Sequence, residues 1–322
     1  MKKGMLFPGY GAQFVGMGKE LYDTQRLVQE YFEEAGTCLN TNFVKLCYAS
    51  SDAELAQVAH AYTALFLLGG ACAGLLREQG IKPDFVAGVD VVGWYSSLLA
   101  AESINFPDGL YILNKLGLMY QELLDQNLYS GLLLQGIPER KVAQLCAQVS
   151  TEDYLVAVAD VRADGCVVTG HVQAVDQLCS LARAMPGVVS EDVTIGNGLY
   201  MSAAEQLARQ VNAYLEKIDF KKPKVSVISP LDGKLVKKGE VAKHISSIII
   251  VQQLNQLAVM KKLSSCDRLC VAIPSVQLMK RVLLSAPRMV IDTMETVAEL
   301  ETVKTLYKPA DTPVIDEEPE HV

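Results

Sequence analysis

The feature that most constrains the fold of this chain is a repeated alternation between short apolar runs and helical patterns. Residues 5–7 and 85–89 have the composition of buried strands, and apolar residues at helical spacing follow each of them. The alternation returns towards the C-terminus, with strand patterns at 224–229 and 269–273. Strand followed by helix, repeated, is typical of a parallel sheet that helices cover on both faces. We therefore predict an α/β fold.

A second pattern interrupts this alternation. Strands are predicted at 132–137, 154–161, 166–169 and 187–193, with helices at 138–149 and 172–184. The order β-α-β-β-α-β is that of the split βαβ, ferredoxin-like unit. Parallel-sheet patterns resume after it, which indicates an insertion. We predict a discontinuous large domain, 1–127 and 194–307, and a ferredoxin-like subdomain at 128–193.

Helical patterns of the large domain are predicted at 21–32 as one long helix, at 61–79, from about Tyr95 onwards, at 107–124, at 203–218 and at 246–263. The apolar stretch 61–76 falls short of the roughly 20 residues that a membrane span needs. We predict a buried core helix there and no membrane span. Asp232 and Gly233 predict a hairpin turn.

Composition excludes several classes of function. A net charge of −8 argues against nucleic-acid binding, which needs a basic face. The eight cysteines are scattered, without the CxxC spacing of a metal or redox site. We therefore predict reduced cysteines, a cytoplasmic location, no metal and no cofactor. Residues 308–322 are acidic and proline-rich, and we predict a disordered tail.

Five segments carry a resemblance to a known family. They are Phe7-Pro8-Gly9-Tyr10-Gly11-Ala12-Gln13, the stretch 87–96, the helix pattern 107–121, the stretch 165–171 and the stretch 201–208. In this order they resemble the FPGQGAQ, AGHSLGEYS, MRGxxMQ and GxxVxxGH motifs and a later helix of the malonyl-CoA:acyl-carrier-protein transacylases. The resemblance implies an α/β-hydrolase-like large domain, with a ferredoxin-like subdomain inserted where that family has one.

The family resemblance also implies a set of chemical groups. Acyl transfer from a thioester needs a nucleophile, a base and donors for the developing oxyanion. In this family the nucleophile is the serine of GHSLG, which lies on a strained strand-to-helix turn. A later histidine is the base, and the first glutamine of FPGQGAQ helps at the oxyanion. The arginine of MRG clamps the free carboxylate of malonyl through paired hydrogen bonds.

None of these groups stands in its expected place. The glutamine is replaced by Tyr10, the arginine by Leu116, and the glutamate after the nucleophile by Trp94. The histidine falls on Asn197 or Gly196, according to where a one-residue gap is placed. Leu116 cannot pair with a carboxylate, and neither Asn197 nor Gly196 can act as a base. We predict a degenerate acyl site.

The turn after residue 89 is the most altered segment. Aligned from the strand side, the serine becomes Asp90; aligned from the helix side, it becomes Val91, because one extra residue lies between. We predict Asp90 at the apex, since aspartate tolerates positive φ and a β-branched valine resists it. Asp90 is the only candidate catalytic residue, as a nucleophile or as an activator of water. The alternative is that it caps the following helix.

These observations lead to two functional hypotheses. The first is a catalytically degenerate transacylase homologue of fatty-acid or polyketide synthesis that binds an acyl carrier protein, another synthase component or an acyl group. It would be a monomer or part of a synthase complex. The second is an active acyl-thioester transferase or hydrolase that uses Asp90 on acyl-CoA or acyl carrier protein. Tyr10, Trp94 and Leu116 would either fill the former cleft or shape it for an uncharged, apolar ligand.

Overall fold

The computed structural model describes residues 1–193 and 202–308, with the side chains of 202–206 excepted. Gly196, Asn197 and the acidic tail from 309 onwards lie outside the described residues. The predictions made for them are therefore not tested by the structure.

Ten strands occur in the described residues. In chain order they are β1 (Lys3–Phe7), β2 (Phe85–Gly88), β3 (Tyr129–Gln135), β4 (Val156–Arg162), β5 (Gly165–His171), β6 (Val189–Val193), β7 (Ser226–Ile228), β8 (Leu235–Val236), β9 (Arg268–Ala272) and β10 (Val290–Met294).

Fourteen helices occur in the same part of the chain. They are α1 (Lys19–Thr24), α2 (Arg26–Leu39), α3 (Phe43–Tyr48), α4 (Asp52–Leu55), α5 (Val58–Glu78), α6 (Val91–Ala100), α7 (Phe106–Leu124), α8 (Glu139–Val149), α9 (Val172–Arg183), α10 (Ser202–Leu215), α11 (Gly239–Ile248), α12 (Gln256–Leu263), α13 (Val276–Ser285) and α14 (Val297–Tyr307).

The larger sheet has six strands in the order β10-β9-β1-β2-β7-β8. Neighbouring strands are parallel except at the β7–β8 edge, where an antiparallel hairpin turns at Gly233, whose φ of 71° is in the left-handed region. At its centre, β1 pairs on both sides, with Met5 opposite Val86 and Cys270. The predicted α/β fold with a parallel sheet is confirmed, and so is the hairpin at residues 232–233.

The smaller sheet has four antiparallel strands in the order β4-β5-β3-β6. This is the strand order of the ferredoxin-like unit, as the sequence predicted. Helices α8 and α9 close a separate apolar core with it, which includes Leu132, Val142, Val168 and Leu178. The four strands lie between Tyr129 and Val193, whereas the exact domain boundaries stay a prediction.

The long helix α5 lies at the centre of the larger unit. It is long and apolar enough to cross a membrane, but 94% of its most apolar 18-residue stretch is buried inside the fold. Helix α7 packs directly against it. The two backbones are so close that a Cβ added to Gly117 would lie 2.4 Å from the Cα of Ala59. The prediction of a buried core helix is confirmed.

Several predicted boundaries were wrong. The pattern at 21–32 covers two helices, α1 and α2, because Gln25 between them has an extended backbone (φ −111°, ψ 113°). The pattern at 246–263 is likewise divided between α11 and α12. The helix after β2 begins at Val91, four residues before the predicted start. Beyond residue 273 the sequence analysis placed no element, and the structure adds α13, β10 and α14.

Candidate functional site

The turn between β2 and α6 brings two glycines into contact. A Cβ added to Gly88 would lie 1.8 Å from the carbonyl carbon of Gly93, and one added to Gly93 would lie 2.7 Å from the Cα of Gly88. The end of the strand and the first turn of the helix therefore cross at a distance that only glycine permits. These residues are five apart, whereas the flanking glycines of the GxSxG elbow are four apart.

Asp90 lies in this turn with an ordinary extended backbone, φ −151° and ψ −159°. The predicted positive φ was wrong. Because one extra residue separates the two glycines, the turn closes without a residue in the left-handed region. Val91 follows as the first residue of α6 and is fully buried. The strained elbow of a nucleophilic serine is therefore absent from this turn.

The Asp90 carboxylate is held by backbone N–H groups on both sides. The Tyr10 N–H donates to Oδ2 at 2.6 Å, and the Gly93 N–H donates to Oδ1 at 3.1 Å. Asp90 is 6% exposed, and a Cβ added to Gly9 would lie 2.1 Å from its Cγ. Burial raises the pKa of Asp90, and these hydrogen bonds oppose that rise. Of the two roles considered for Asp90, the geometry provides helix capping.

Tyr10 is anchored at both ends in the loop after β1. Its hydroxyl donates to the Ala56 carbonyl oxygen at 2.7 Å, and its ring meets the Tyr62 ring edge-on, with 6.0 Å between the centroids. Its backbone N–H is the one that donates to Asp90. Tyr10 therefore contributes a backbone donor to the site, while its side chain is fixed against the neighbouring helices.

Trp94 and Leu116 are part of the core. Both side chains are fully buried, and the indole N–H of Trp94 donates to the Ser246 hydroxyl at 2.9 Å. Neither residue lines the cavity described next. Trp94 and Leu116 are therefore core residues, and whether they fill a former cleft stays a prediction.

A cavity of about 380 Å³ lies beside Asp90, between the ends of β1 and β2 and the smaller sheet. Ligands of open α/β folds bind at this end of a parallel sheet. Its wall is mixed, with apolar side chains such as Leu133 and Val167 beside seven charged ones. The cations are Arg162, Lys280 and Arg281, and the carboxylates are Asp90, Asp164, Glu191 and Asp192. The expectation of a cleft shaped for an uncharged, apolar ligand stays a prediction.

One buried carboxylate joins the smaller sheet to the larger unit at the cavity. Asp160, 4% exposed, accepts from Arg162 Nε at 2.6 Å through Oδ2 and from the Gln256 backbone N–H at 3.2 Å through Oδ1. The backbone of Leu254 pairs with β4 on either side of Asp160, at 2.8 and 3.0 Å. The cavity wall is thus fixed where the two sheets meet.

Sequence reasoning placed Asp90 and Tyr10 at this cavity, but missed Arg162, Asp164 and Arg281. The three missed residues lie in no recognised motif: Arg162 and Asp164 flank the β4–β5 turn, and Arg281 lies far from them in the chain. Among the described histidines, His171 caps α9 through its ring nitrogen and none lines the cavity. No local signal would have identified the missed residues before the β4–β5 turn and α13 were placed in space.

Residues 5–296 match the model of the acyl transferase domain. The chain belongs to this family. It is 31% identical over 214 residues to a malonyl CoA-acyl carrier protein transacylase of Bacillus subtilis, covering 65% of this chain but only 53% of that protein. It is 30% identical over 229 residues to one from B. subtilis strain 168, covering 71% and 72%.

Solved structures of the family have the same fold. The malonyl CoA-acyl carrier protein transacylase of Coxiella burnetii superposes with a TM-score of 0.88 at 21% identity, over 96% of this chain and 98% of that one. A type II PKS acyl-carrier protein in complex with its malonyl-transacylase matches with a TM-score of 0.87 at 21% identity, over 95% and 100%. At this identity the likeness establishes the fold alone.

Proposed function

We propose that this acyl transferase homologue of fatty-acid or polyketide synthesis no longer transfers acyl groups and acts by binding. The observation that carries the proposal is the Asp90 carboxylate, which accepts hydrogen bonds from the Tyr10 and Gly93 N–H groups. Acyl transfer needs free donors about 2.7–3.1 Å from the developing oxyanion. Here both donors already serve a fixed carboxylate, so an oxyanion at the same place would meet a negative charge.

The other replacements support the same conclusion. Leu116 is buried in the core and offers no hydrogen bond to a malonyl carboxylate. Loss of a nucleophile or its base alone typically reduces the rate by about 10⁴- to 10⁶-fold. A chain that has lost both, together with the clamp, retains no route to acyl transfer through the family's mechanism.

The ligand is an acyl carrier protein, another synthase component or an acyl group. A carrier protein is supported by the structural neighbour that is a complex of such a protein with its malonyl-transacylase. The cavity beside Asp90, of about 380 Å³, leaves room for a ligand. We place this function in the cytoplasm, with the chain as a monomer or as part of a synthase complex.

A second candidate is an acyl-thioester transferase or hydrolase that uses Asp90. The observation in its favour is that Asp90 lines the cavity and that burial raises its pKa, which suits a general base. Against it, both carboxylate oxygens already accept backbone hydrogen bonds. These bonds stabilise the ionised carboxylate, which lowers its basicity, and they occupy about half of its acceptor sites.

Calorimetric titration with holo and acylated carrier proteins, run on wild type and Asp90→Asn, separates the two candidates. We expect the variant to bind the carrier with an affinity within about twofold of wild type, and neither protein to accelerate thioester loss. Thioester turnover by wild type that collapses in Asp90→Asn would establish the enzyme instead. Absence of carrier binding by both proteins would remove the carrier from the proposal.

A further inference from the structure

Three buried polar atoms at the cavity have no hydrogen-bond partner among the described residues. They are Nε of Arg281, Oδ1 of Asp164 and Oε1 of Gln256. They come from three separate elements, α13, the β4–β5 turn and the start of α12. Buried polar groups in native proteins are nearly always hydrogen-bonded, so a convergent set without partners indicates a place for a polar ligand.

Gln256 gives the most direct indication, because it is only 2% exposed. Its backbone N–H donates to Asp160, which fixes the start of α12 at the cavity. The side chain lines the cavity, and its Oε1 is buried without a partner among the described residues. A donor placed in the cavity would satisfy this oxygen.

Arg281 is the half-buried cation that remains available for an anion, because the third lining cation, Lys280, is exposed. Arg162 already donates to Asp160, whereas Arg281 forms no ion pair with another described residue. Burial lowers the pKa of Arg281 and the nearby charge of Arg162 adds to this, while Asp164, Asp160 and Asp90 oppose it. The guanidinium nevertheless stays charged at neutral pH, and its planar donors match a carboxylate.

The charge of the cavity wall limits the ligand further. Four lining carboxylates face three lining cations, one of which is neutralised by Asp160. A dianion would be repelled, and a plain aliphatic acid would leave the acceptors of Asp164 and Gln256 unsatisfied. An acid that also carries an ammonium group satisfies the donor and both acceptors together, whereas a hydroxyl group, with its single O–H, satisfies the donor and one acceptor.

We propose that this cavity binds a small acid with its own hydrogen-bond donor, an amino acid or a hydroxy acid. Its carboxylate pairs with Arg281. An ammonium group donates to both Asp164 and Gln256, and a hydroxyl group donates to one of them. The acid is either free or forms the end of a carrier-linked acyl group. Only the carrier-linked source rests on the proposed function.

The test compares acids that differ in one group. Propionate, 3-hydroxypropionate and 3-aminopropionate share a three-carbon chain, and 3-aminopropanol lacks the carboxylate. Binding to the full chain is measured by saturation-transfer NMR and calorimetry, with two- and four-carbon homologues included to cover chain length. We expect the hydroxy or amino acid to bind at least tenfold more tightly than the two partial compounds. Equal binding of propionate, or no binding in any series, would overturn the proposal.

Variants assign the contacts. Arg281→Leu is expected to lose at least tenfold in affinity, and Arg281→Lys to keep part of it. Asp164→Asn should weaken the amino acid more than the hydroxy acid. Arg288→Leu, an exposed arginine just beyond α13 that does not line the cavity, serves as the matched control and should bind like wild type. Thermal unfolding of each variant checks the fold, and unchanged binding by folded Arg281→Leu would refute the assignment.

The two proposals fail in different ways. Binding of a free acid together with thioester turnover would support this inference and refute the proposal that the chain no longer transfers acyl groups. No binding of any free acid, together with no turnover, would refute this inference and leave the proposed function standing. A matching acid presented on a carrier protein that binds more tightly than the free acid would identify the carrier-linked source.

Discussion

The two walls of the cleft differ in what has happened to their polar groups. On the large-sheet side, Trp94 and Leu116 are buried in the core, and Asp90 is held by backbone donors. On the other side, Asp164 and Arg281 present buried atoms that have no partner among the described residues. The Asp90 carboxylate is thus held by backbone hydrogen bonds, whereas the charged groups around Asp164 and Arg281 are incompletely satisfied.

This difference supports the proposal that the cleft binds a ligand. A site under no constraint would be expected to satisfy or expose its polar atoms, because each buried unsatisfied group costs about 1–3 kcal/mol. Trp94 and Leu116, at two positions that the family resemblance assigns to the acyl site, are part of the core. The facing wall has buried polar groups whose hydrogen bonds only a ligand or solvent would complete. Together they favour a binding protein over an enzyme.

The largest effect on the free energy of unfolding is expected at Trp94. Trp94→Ala should lower the free energy of unfolding by about 3–5 kcal/mol, because it removes a fully buried indole. Ser246→Ala is the control for the hydrogen bond alone and should cost about 1–3 kcal/mol. Urea denaturation measures both. A loss below about 1 kcal/mol for Trp94→Ala would mean that the indole is not packed in the core.

A smaller effect is expected at the turn. Asp90→Ala removes the cap of α6 and the acceptor of the Tyr10 N–H, and should cost about 0.5–2 kcal/mol. Ser275→Ala, at the cap of α13, provides a comparison with a helix that is capped by one hydrogen bond to Leu278. Greater stability of Asp90→Ala than of wild type would contradict the capping role.

The pH dependence of stability tests the burial of the same carboxylate. Burial raises the pKa of Asp90 above its ordinary value of 3.8, so the folded protein binds this proton more tightly than the unfolded chain. The stability that this group contributes is present below pH 3.8 and is lost as pH rises through the folded pKa. The free energy of unfolding of wild type, relative to Asp90→Asn, should therefore fall over that window. A rise would contradict the assignment.

The smallest effect on stability is expected on the charged wall. Arg281→Leu removes a partly buried cation that has no ion pair among the described residues, so the free energy of unfolding should change by less than about 1 kcal/mol, or rise. The same urea experiment serves for this variant. A loss as large as that of Trp94→Ala would show that Arg281 is a structural residue and would erase the contrast between the two walls.

Sequence patterns predicted the smaller sheet and four of the six strands of the larger one, because strand and helix periodicities are local. The contact of Gly88 with Gly93 also follows from a recognisable motif. The conformation of Asp90 was not predictable from the preference of aspartate for positive φ, since the extra residue in the turn removes the need for it. Arg281 was missed because its role depends on α13 meeting the β4–β5 turn, which no local pattern encodes.

The measurement that tests the central claim most directly is a time course of intact masses. The purified chain is incubated with malonyl-CoA, other acyl-CoAs and holo acyl carrier protein, and the masses of both proteins are followed. The account predicts no acylated form of this chain and no transfer to the carrier above the rate without protein. An acylated form of this chain, or accelerated transfer to the carrier, would contradict the claim that Asp90 has replaced the chemistry of the site.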